Sequence, residues 1–310
     1  MTNPHLRRVI RAALEPGRDS RELVLCTGAD ISGLNYAFKE GIHTLYKFKP
    51  FATTFDEEVV RQILVDHEIY FARADQLNDK TELQIRHEIT GDKSDPATRV
   101  ALLADLERLM REDSRSESFI QAQLKALETI DLHRAEDEAT RMSRERLRLE
   151  FPVFSLATKN TEALHWKEYA ADFTGLCIHF DATSFDTRSI ESPFAVARRV
   201  EYMPARPTIP IPLDIEATEL ARRVGLTKPL SYIGEIEYRL VVCKGYSAGI
   251  KITGQHGKFD GRHIVGVTIG ENMCAPQIAK VVAMAQRRNP AIPISIARRT
   301  PAGIQISRYP

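Results

Sequence analysis

Residues 153–180 of this 310-residue chain read VFSLATKNTEALHWKEYAADFTGLCIHF, and the spacing of apolar residues in this stretch indicates the fold class. Residues 153–157 are rich in β-formers and predict a strand. Residues 161–171 predict a helix with Thr161 as its cap, and residues 176–180 predict a second strand. The stretch is therefore a strand–helix–strand unit with short connections.

Similar signals extend outward from this unit in both directions. Strands are predicted at 42–48, 69–73, 194–202, 236–243, 263–269, 292–297 and 303–308, and helices at 4–15, 55–66, 213–224 and 275–288. Runs of strands interrupted by single helices, without regular alternation, favour an α+β fold over a doubly wound parallel sheet. We expect an α+β protein with a mixed, mainly antiparallel sheet, flanking helices and a helical insertion.

The insertion is predicted at residues 96–150. Two stripes of apolar residues at helical spacing, Leu102 to Met110 and Ile120 to Ile130, indicate two helices there. Residues 131–150 carry eleven charged side chains of both signs, which predicts a solvated helix, since a phosphate-binding stripe needs an excess of one sign. The expected organisation is one α+β domain formed by residues 1–95 and 151–310, with the insertion between its two parts.

Composition excludes several classes of protein. Hydrophobic residues make up 43% and charged residues 27% of the chain, which is typical of a folded globular protein. The net charge of +1 provides no global field for nucleic acid or for an anionic membrane. Because no apolar run reaches signal-peptide or membrane-span length, we expect a cytoplasmic protein with no membrane partner.

Common motifs for phosphate, metal and serine chemistry do not occur. Four scattered cysteines indicate neither a disulfide framework nor a zinc ribbon, and no HExxH or GxSxG is present, so we predict no metal. The glycines at 245, 249, 254, 257 and 261 fit no phosphate-binding motif. We predict a flexible loop there, with a lid as its function.

The segment EIEYRLVV at 235–242 is the sharpest chemical signal. Strand alternation would place Glu235, Glu237 and Arg239 on one face, spaced about 7 Å apart, with apolar residues on the other face. Such a row can form a catalytic face. The alternative is a solvent-facing strand with weak ion pairs across the sheet.

Three further clusters are candidate ligand contacts. On the predicted helix, Trp166 and Tyr169 share a face and could form an aromatic wall, although core packing is the more common role of such a pair. In the other two clusters, Asn78 and Asp79 could grip a ribose or another polar ligand, or cap the next element together with Glu82, and Tyr46 and Lys47 could meet a ring and a phosphate. A strand-edge lysine is otherwise simply solvated.

Taken together, these residues resemble a large bacterial family of domains of unknown function. The shared motifs, spread over residues 45 to 270, are Leu45-Tyr46-Lys47, Leu77-Asn78-Asp79 with Glu82, Phe154-Ser155, Trp166 to Ala170 with Gly175 to Phe180, and Glu235 to Arg239. The chain departs from the pattern at Lys80, where the family has Pro, and at Tyr238, where Trp is common.

That family is distantly similar to ADP-ribosyltransferase-like folds, which implies an NAD cleft and NAD as a substrate. In those folds an early polar strand residue, a middle Ser or Tyr strand and a late strand glutamate line the cleft. The resemblance implies that Glu237, with Glu235 beside it, is the catalytic carboxylate. Other roles that it implies are pyrophosphate binding by Arg239 or Lys47, stacking on nicotinamide by Tyr46 or Trp166, and a place in the cleft for Ser155. The acceptor is not indicated and could be a protein or a nucleic acid, and no oligomeric state is indicated.

Two alternatives remain open. One is a non-enzymatic ligand-binding or protein-binding module, in which the Asn-Asp and Glu-x-Glu-Tyr-Arg motifs are structural polar networks and the charged insertion binds another protein. The other is a metal-dependent nuclease built from Asp79, Glu82, Glu235 and Glu237.

Overall fold

The structure, a computed structural model, describes residues 37–77, 79, 82, 84–112, 114–150, 152–183, 185–186, 189–190, 192–211, 222–241, 246–247, 250–287 and 289–310. The helix predicted at 4–15 and most of the helix predicted at 213–224 lie outside these residues. The described residues divide into two compact units. The first unit takes its residues from 73–151 and 203–229, and the second from 37–72, 152–202 and 230–310.

The elements are numbered in chain order. The principal α-helices are α1 (Thr54–Leu64), α2 (Pro96–Glu112), α3 (Glu117–Glu128), α4 (Leu132–Glu150), α5 (Ala163–Glu168) and α6 (Ala275–Gln286). The strands are β1 (Thr44–Lys49), β2 (Glu68–Tyr70), β3 (Arg86–Ile89), β4 (Val153–Ala157), β5 (Leu176–Asp181), β6 (Phe185–Asp186), β7 (Ser189–Ile190), β8 (Arg198–Arg199), β9 (Glu201–Met203), β10 (Thr208–Ile211), β11 (Thr227–Pro229), β12 (Glu237–Val241), β13 (Tyr246–Ser247), β14 (Ile250–Thr253), β15 (His256–Lys258), β16 (Ile264–Gly270), β17 (Ile294–Thr300) and β18 (Gly303–Arg308).

A mixed sheet of eight described strands forms the centre of the second unit. Its order is β18-β17-β16-β5-β1-β4-β12-β8. All neighbouring strands of this sheet run antiparallel except β16 and β17, which are parallel and are connected through α6. A parallel pair needs such a crossover, whereas antiparallel neighbours do not. The α+β class with a mainly antiparallel sheet is confirmed.

Each face of this sheet carries its own apolar cluster. The larger cluster includes Leu45, Phe154, Phe180 and Leu240, which come from four different strands. The smaller cluster lies on the opposite face, where Phe48, Ala157 and Cys177 pack with Trp166 of α5. Strand alternation explains this division, because consecutive residues such as Leu156 and Ala157 point to opposite faces.

The second unit contradicts two local predictions. Residues 250–258 form the β14–β15 hairpin, with Gly254 at its turn (φ +63°), and β15 pairs with β2, so this part of the predicted lid is a sheet. Gly245 and Gly249 lie outside the described residues. Thr161 does not cap α5, whose N-cap is Glu162 without a side-chain hydrogen bond.

The first unit contains α2, α3 and α4 within the predicted insertion, together with the parallel pair β3–β10. The charge pattern of residues 131–150 predicted a solvated helix, but one side of helix α4 is buried. Its side chains Glu136, Thr140 and Ser143 are buried. Glu136 and Thr140 accept hydrogen bonds from the backbone amides of Ile89 (2.6 Å) and His87 (2.9 Å), so this polar stripe covers one edge of β3.

Candidate functional site

The centre of the candidate site is a buried ion pair at the start of β12. The guanidinium of Arg239 approaches the carboxylate of Glu237 as a fork, with Nε 2.6 Å from Oε1 and Nη2 3.1 Å from Oε2. The two residues are 1% and 5% exposed. The solvent-facing alternative for this strand is therefore wrong. Removing one partner of such a pair would leave an uncompensated buried charge, at a cost of about 3–5 kcal/mol.

Glu235 is also buried, but strand alternation is not the reason. It ends a 3₁₀-helix over Leu230–Glu235, and the strand begins only at Glu237. Between the two carboxylates, Ile236 has a left-handed backbone (φ +44°) and an exposed side chain. This local reversal lets both glutamates point inward. The hydroxyl of Tyr169 donates a 2.7 Å hydrogen bond to Glu235.

Tyr46, Ser155 and Glu237 come from three adjacent strands and share a face of the sheet. Ala157 of β4 is the register partner of Tyr46 on one side and of Glu237 on the other. Ser155, two residues before Ala157, is opposite Arg239. Residues opposite one another across a ladder project to the same face of the sheet. Because β4 lies between β1 and β12, the α-carbons of Tyr46 and Glu237 are two strand spacings apart, about 10 Å. Tyr46 and Ser155 are partly exposed.

Lys47 does not join this row. It follows Tyr46 and projects to the other face of the sheet, where its Nζ lies 4.6 Å from the ring centroid of Phe154. The same ammonium donates a 2.7 Å hydrogen bond to the carbonyl of Ser155. A pyrophosphate on the face of Tyr46 would not meet this lysine, so the predicted pairing of Tyr46 and Lys47 around one ligand is wrong.

The predicted aromatic wall is divided between two roles. Trp166 has no exposed surface, stacks on Phe173 at 5.1 Å between ring centroids and donates from Nε1 to the carbonyl of Asn160 at 2.6 Å. Burying a tryptophan removes roughly 200 Å² from water, an upper estimate of about 5 kcal/mol. Trp166 is a core residue, and stacking on nicotinamide would require it to leave this packing. Tyr169 is partly exposed and lies against Glu235.

Two residues of β5 near Tyr46, His179 and Cys177, were not predicted as site residues from the sequence. His179 is the register partner of Tyr46 on β5, with 4.9 Å between ring centroids, and it shares a 2.8 Å hydrogen bond with the hydroxyl of Thr268. Burial lowers the pKa of His179 to about 4. Burial, followed by the nearby Cys177, raises the pKa of Tyr46. The alternation of LCIHF puts Cys177 and His179 on one face, but no local signal gives their register against β1.

Asp79 and Glu82 belong to the first unit, and Asn78 lies outside the described residues. The carbonyl of Asp79 accepts a 3.2 Å hydrogen bond from the amide of Glu82. The Glu82 carboxylate lies 3.0 Å from Nζ of Lys228, and both side chains are buried. The next described element after Glu82 is the strand β3.

The three glutamates of the nuclease alternative are engaged in other contacts. Glu235 and Glu237 are held by Tyr169 and Arg239, and Glu82 is held by Lys228. Over the part of the chain that the structure describes, no group of three or more His, Cys, Asp or Glu residues is close enough to hold a metal ion. Within that part, no helix is both long and apolar enough to cross a membrane.

Comparison of the chain with protein-family models, curated proteins and solved structures finds no match.

Proposed function

We propose that the face of the sheet carrying Tyr46, Ser155 and Glu237 binds NAD, and that the protein is an NAD-cleaving, ADP-ribosyltransferase-like enzyme. One observation carries this proposal. An early, a middle and a late segment of the chain supply three chemically distinct side chains to adjacent strands, with Ala157 in register with both Tyr46 and Glu237. This is the order of polar residues that the resemblance to ADP-ribosyltransferase-like folds implies.

Buried charges support a functional role for this face. An ion pair that is almost wholly removed from water contributes little to stability relative to apolar residues of similar volume. Ionisable groups held in such places are over-represented at sites where they do chemistry. Glu237 and Arg239 form such a pair at the start of β12, and Glu235 is buried two residues earlier.

In the proposed reaction the bond between C1′ of the ribose and the pyridinium nitrogen of NAD breaks. The bonding electrons pass to the nitrogen, so neutral nicotinamide leaves and positive charge develops on the ribose. The carboxylate of Glu237 stabilises that charge electrostatically, and the Arg239 fork fixes its orientation. Water or the acceptor then forms the new bond at C1′ with one of its lone pairs and loses a proton. We assign the role of accepting this proton to the carboxylate of Glu235.

The partly exposed residues of the face are assigned to binding. Tyr46 offers a ring to nicotinamide, and the hydroxyl of Ser155 offers a hydrogen bond. Arg239 acts through Glu237 and does not bind pyrophosphate directly, because it is 1% exposed and already paired with Glu237. Of the residues expected to bind NAD, Tyr46, Ser155 and Tyr169 remain in this proposal.

Release of free nicotinamide from NAD tests the proposal, with and without cell extract as a source of acceptors. We expect release by the wild type, a loss of about 100-fold or more in Glu237→Gln, since removing one electrostatic contact of this kind has effects of that size, and near-normal release by Glu168→Gln. Glu168 is an exposed carboxylate on α5 and is the matched control. No release by the wild type, together with no thermal shift on adding NAD, would overturn the proposal.

A second candidate function is favoured by the depth of the ion pair. Near-complete burial of Glu237 and Arg239 is also what a structural network in a non-enzymatic binding module would show. That function predicts that Glu237→Gln lowers the melting temperature by several degrees. It also predicts that adding NAD changes the melting temperature of neither the wild type nor Glu237→Gln. A wild type that releases nicotinamide excludes it, whatever the stability of the variant.

A further inference from the structure

The first unit contains a cavity of about 320 Å³ that takes no part in the proposed NAD chemistry. Its lining comes from the segment before β3, the loop 203–207 and β11. This volume is at the lower end of the range of small-molecule sites. It suits a ligand with a single ring, and it is too small for a dinucleotide.

The buried charged part of the lining is the pair Glu82–Lys228. The carboxylate and the ammonium are 3.0 Å apart, and the side chains are 4% and 5% exposed. Keeping two ionised groups out of water requires a specific arrangement of partners. Buried charged groups that line a concave surface are a common feature of binding sites.

Positive charge is in excess around this cavity. Arg206 lines it and is exposed, and within the described part of the chain no carboxylate forms an ion pair with it. The pKa of Arg144 is lowered, first by burial and then by the like charge of the nearby Arg206. Among the charged residues of the lining, Glu82 is paired with Lys228 and Arg206 adds a further positive charge, so the open part of the site favours an anion.

The remaining walls are largely apolar. Met203, Pro204, Pro207 and Pro229 line the cavity, and Gln84 and Thr227 add polar groups. Proline rings present flat apolar surfaces, and a methionine side chain adapts to irregular ligands. A ligand that matches both parts of the lining has an anionic group attached to an apolar body.

We propose that this cavity binds a small organic anion, with its carboxylate or phosphate against Arg206 and its apolar body between Met203 and the prolines. The guanidinium fork of arginine suits either group, because it makes two parallel hydrogen bonds to paired oxygens. The Glu82–Lys228 pair forms the buried part of the site. This binding is independent of NAD cleavage on the second unit.

Calorimetric titration of the full chain with four probes tests the proposal: benzoate, phenyl phosphate, inorganic phosphate and neutral benzyl alcohol. We expect benzoate or phenyl phosphate to bind, and the better of the two identifies the anionic group. Arg206→Gln should weaken that binding at least tenfold. Arg108→Gln removes the same charge from an exposed position on α2 and should leave the binding of that anion unchanged.

Methyl resonances of ¹³C-methionine give the location. The Met203 signal, identified by its loss in Met203→Leu, should shift on binding. The proposal is overturned if neither aromatic anion binds at millimolar concentration, if Arg206→Gln binds as well as the wild type, or if the Met203 signal does not move. Benzyl alcohol binding as tightly as the anions would refute the anion part, and inorganic phosphate binding as tightly as phenyl phosphate would refute the apolar part.

Discussion

The hydroxyl of Tyr169, at the end of α5, donates a 2.7 Å hydrogen bond to the carboxylate of Glu235. This bond ties the first candidate carboxylate to the helix that covers the smaller apolar cluster. Replacing Tyr169 with Phe keeps the ring and removes one donor from a buried charge. We expect the free energy of unfolding, measured in urea, to fall by about 1–3 kcal/mol.

Tyr309→Phe is the control for this change. The Tyr309 side chain is partly buried, and its hydroxyl makes no hydrogen bond to another described residue. Its loss should change stability by less than about 0.5 kcal/mol. Equal effects of the two substitutions would mean that the bond to Glu235 contributes nothing measurable.

Ile236 combines a left-handed backbone with a β-branched side chain that is 41% exposed. An L-residue in this conformation costs roughly 1–2 kcal/mol, and Asn tolerates it better. Ile236→Asn should therefore be as stable as the wild type, or up to about 1 kcal/mol more stable. Ile233→Asn makes the same change at an exposed site without positive φ and should gain nothing. A larger loss at position 236 than at position 233 in thermal unfolding would show that the backbone there is not strained.

Gly175 precedes β5 at a close approach of two backbone segments. A Cβ added there would lie 2.2 Å from the carbonyl oxygen of Lys49 and 3.0 Å from that of Ala170. Backbone atoms would have to move, so Gly175→Ala should destabilise the protein by about 2 kcal/mol or more. Gly234→Ala meets nothing within 4 Å and should be neutral or slightly stabilising. Similar denaturation midpoints for the two variants would contradict this geometry.

His179 gives stability a defined pH dependence. Its pKa is lowered by burial from 6.5 to about 4, so between these values the unfolded chain binds a proton that the folded chain does not. Stability should therefore be unaffected above pH 6.5 and should fall as the pH drops from 6.5 to 4, by on the order of 3 kcal/mol at most.

Urea unfolding at several pH values measures this slope. His179→Gln should flatten it over the same window, because the titrating group is gone. His133 is exposed, so His133→Gln should leave the slope as in the wild type. A slope that survives in His179→Gln would assign the effect to other groups, such as His87, whose pKa burial also lowers.

Local patterns predicted the elements whose signals are contained within a few residues. The strands at 153–157 and 303–308 agree with β4 and β18 residue for residue. Alternating β-formers bounded by a turn or proline specify such strands without help from the rest of the chain. The fold class followed because most strands of the central sheet have such local signals.

Register between distant strands could not be predicted in the same way. That Ala157 is opposite both Tyr46 and Glu237 depends on two pairings between segments far apart in sequence. The Glu82–Lys228 contact and the pairing of β15 with β2 are of the same type. The glycines of the predicted lid were misread for this reason, since a hairpin rich in glycine is stabilised here by a strand from another part of the chain.

The left-handed residues were the other source of error. Ala171, Asp172 and Phe173 all have positive φ and end α5 early, whereas the sequence predicted a helix continuing to residue 171. The same conformation at Ile236 breaks the alternation that was expected to align Glu235 with Glu237. Neither segment has glycine at its left-handed positions, so the sequence contained no signal that predicts positive φ there.

The position of β1 in the middle of the central sheet has a consequence for protein synthesis. β1 is synthesised before the helical insertion, and its partners β4 and β5 are made only after the whole insertion. At typical rates of translation, of the order of 5–20 residues per second, β1 waits on the order of ten seconds for a strand partner. During that interval the backbone of β1 has neither of its two strand partners, so β1 is a target for a chaperone that binds extended apolar segments.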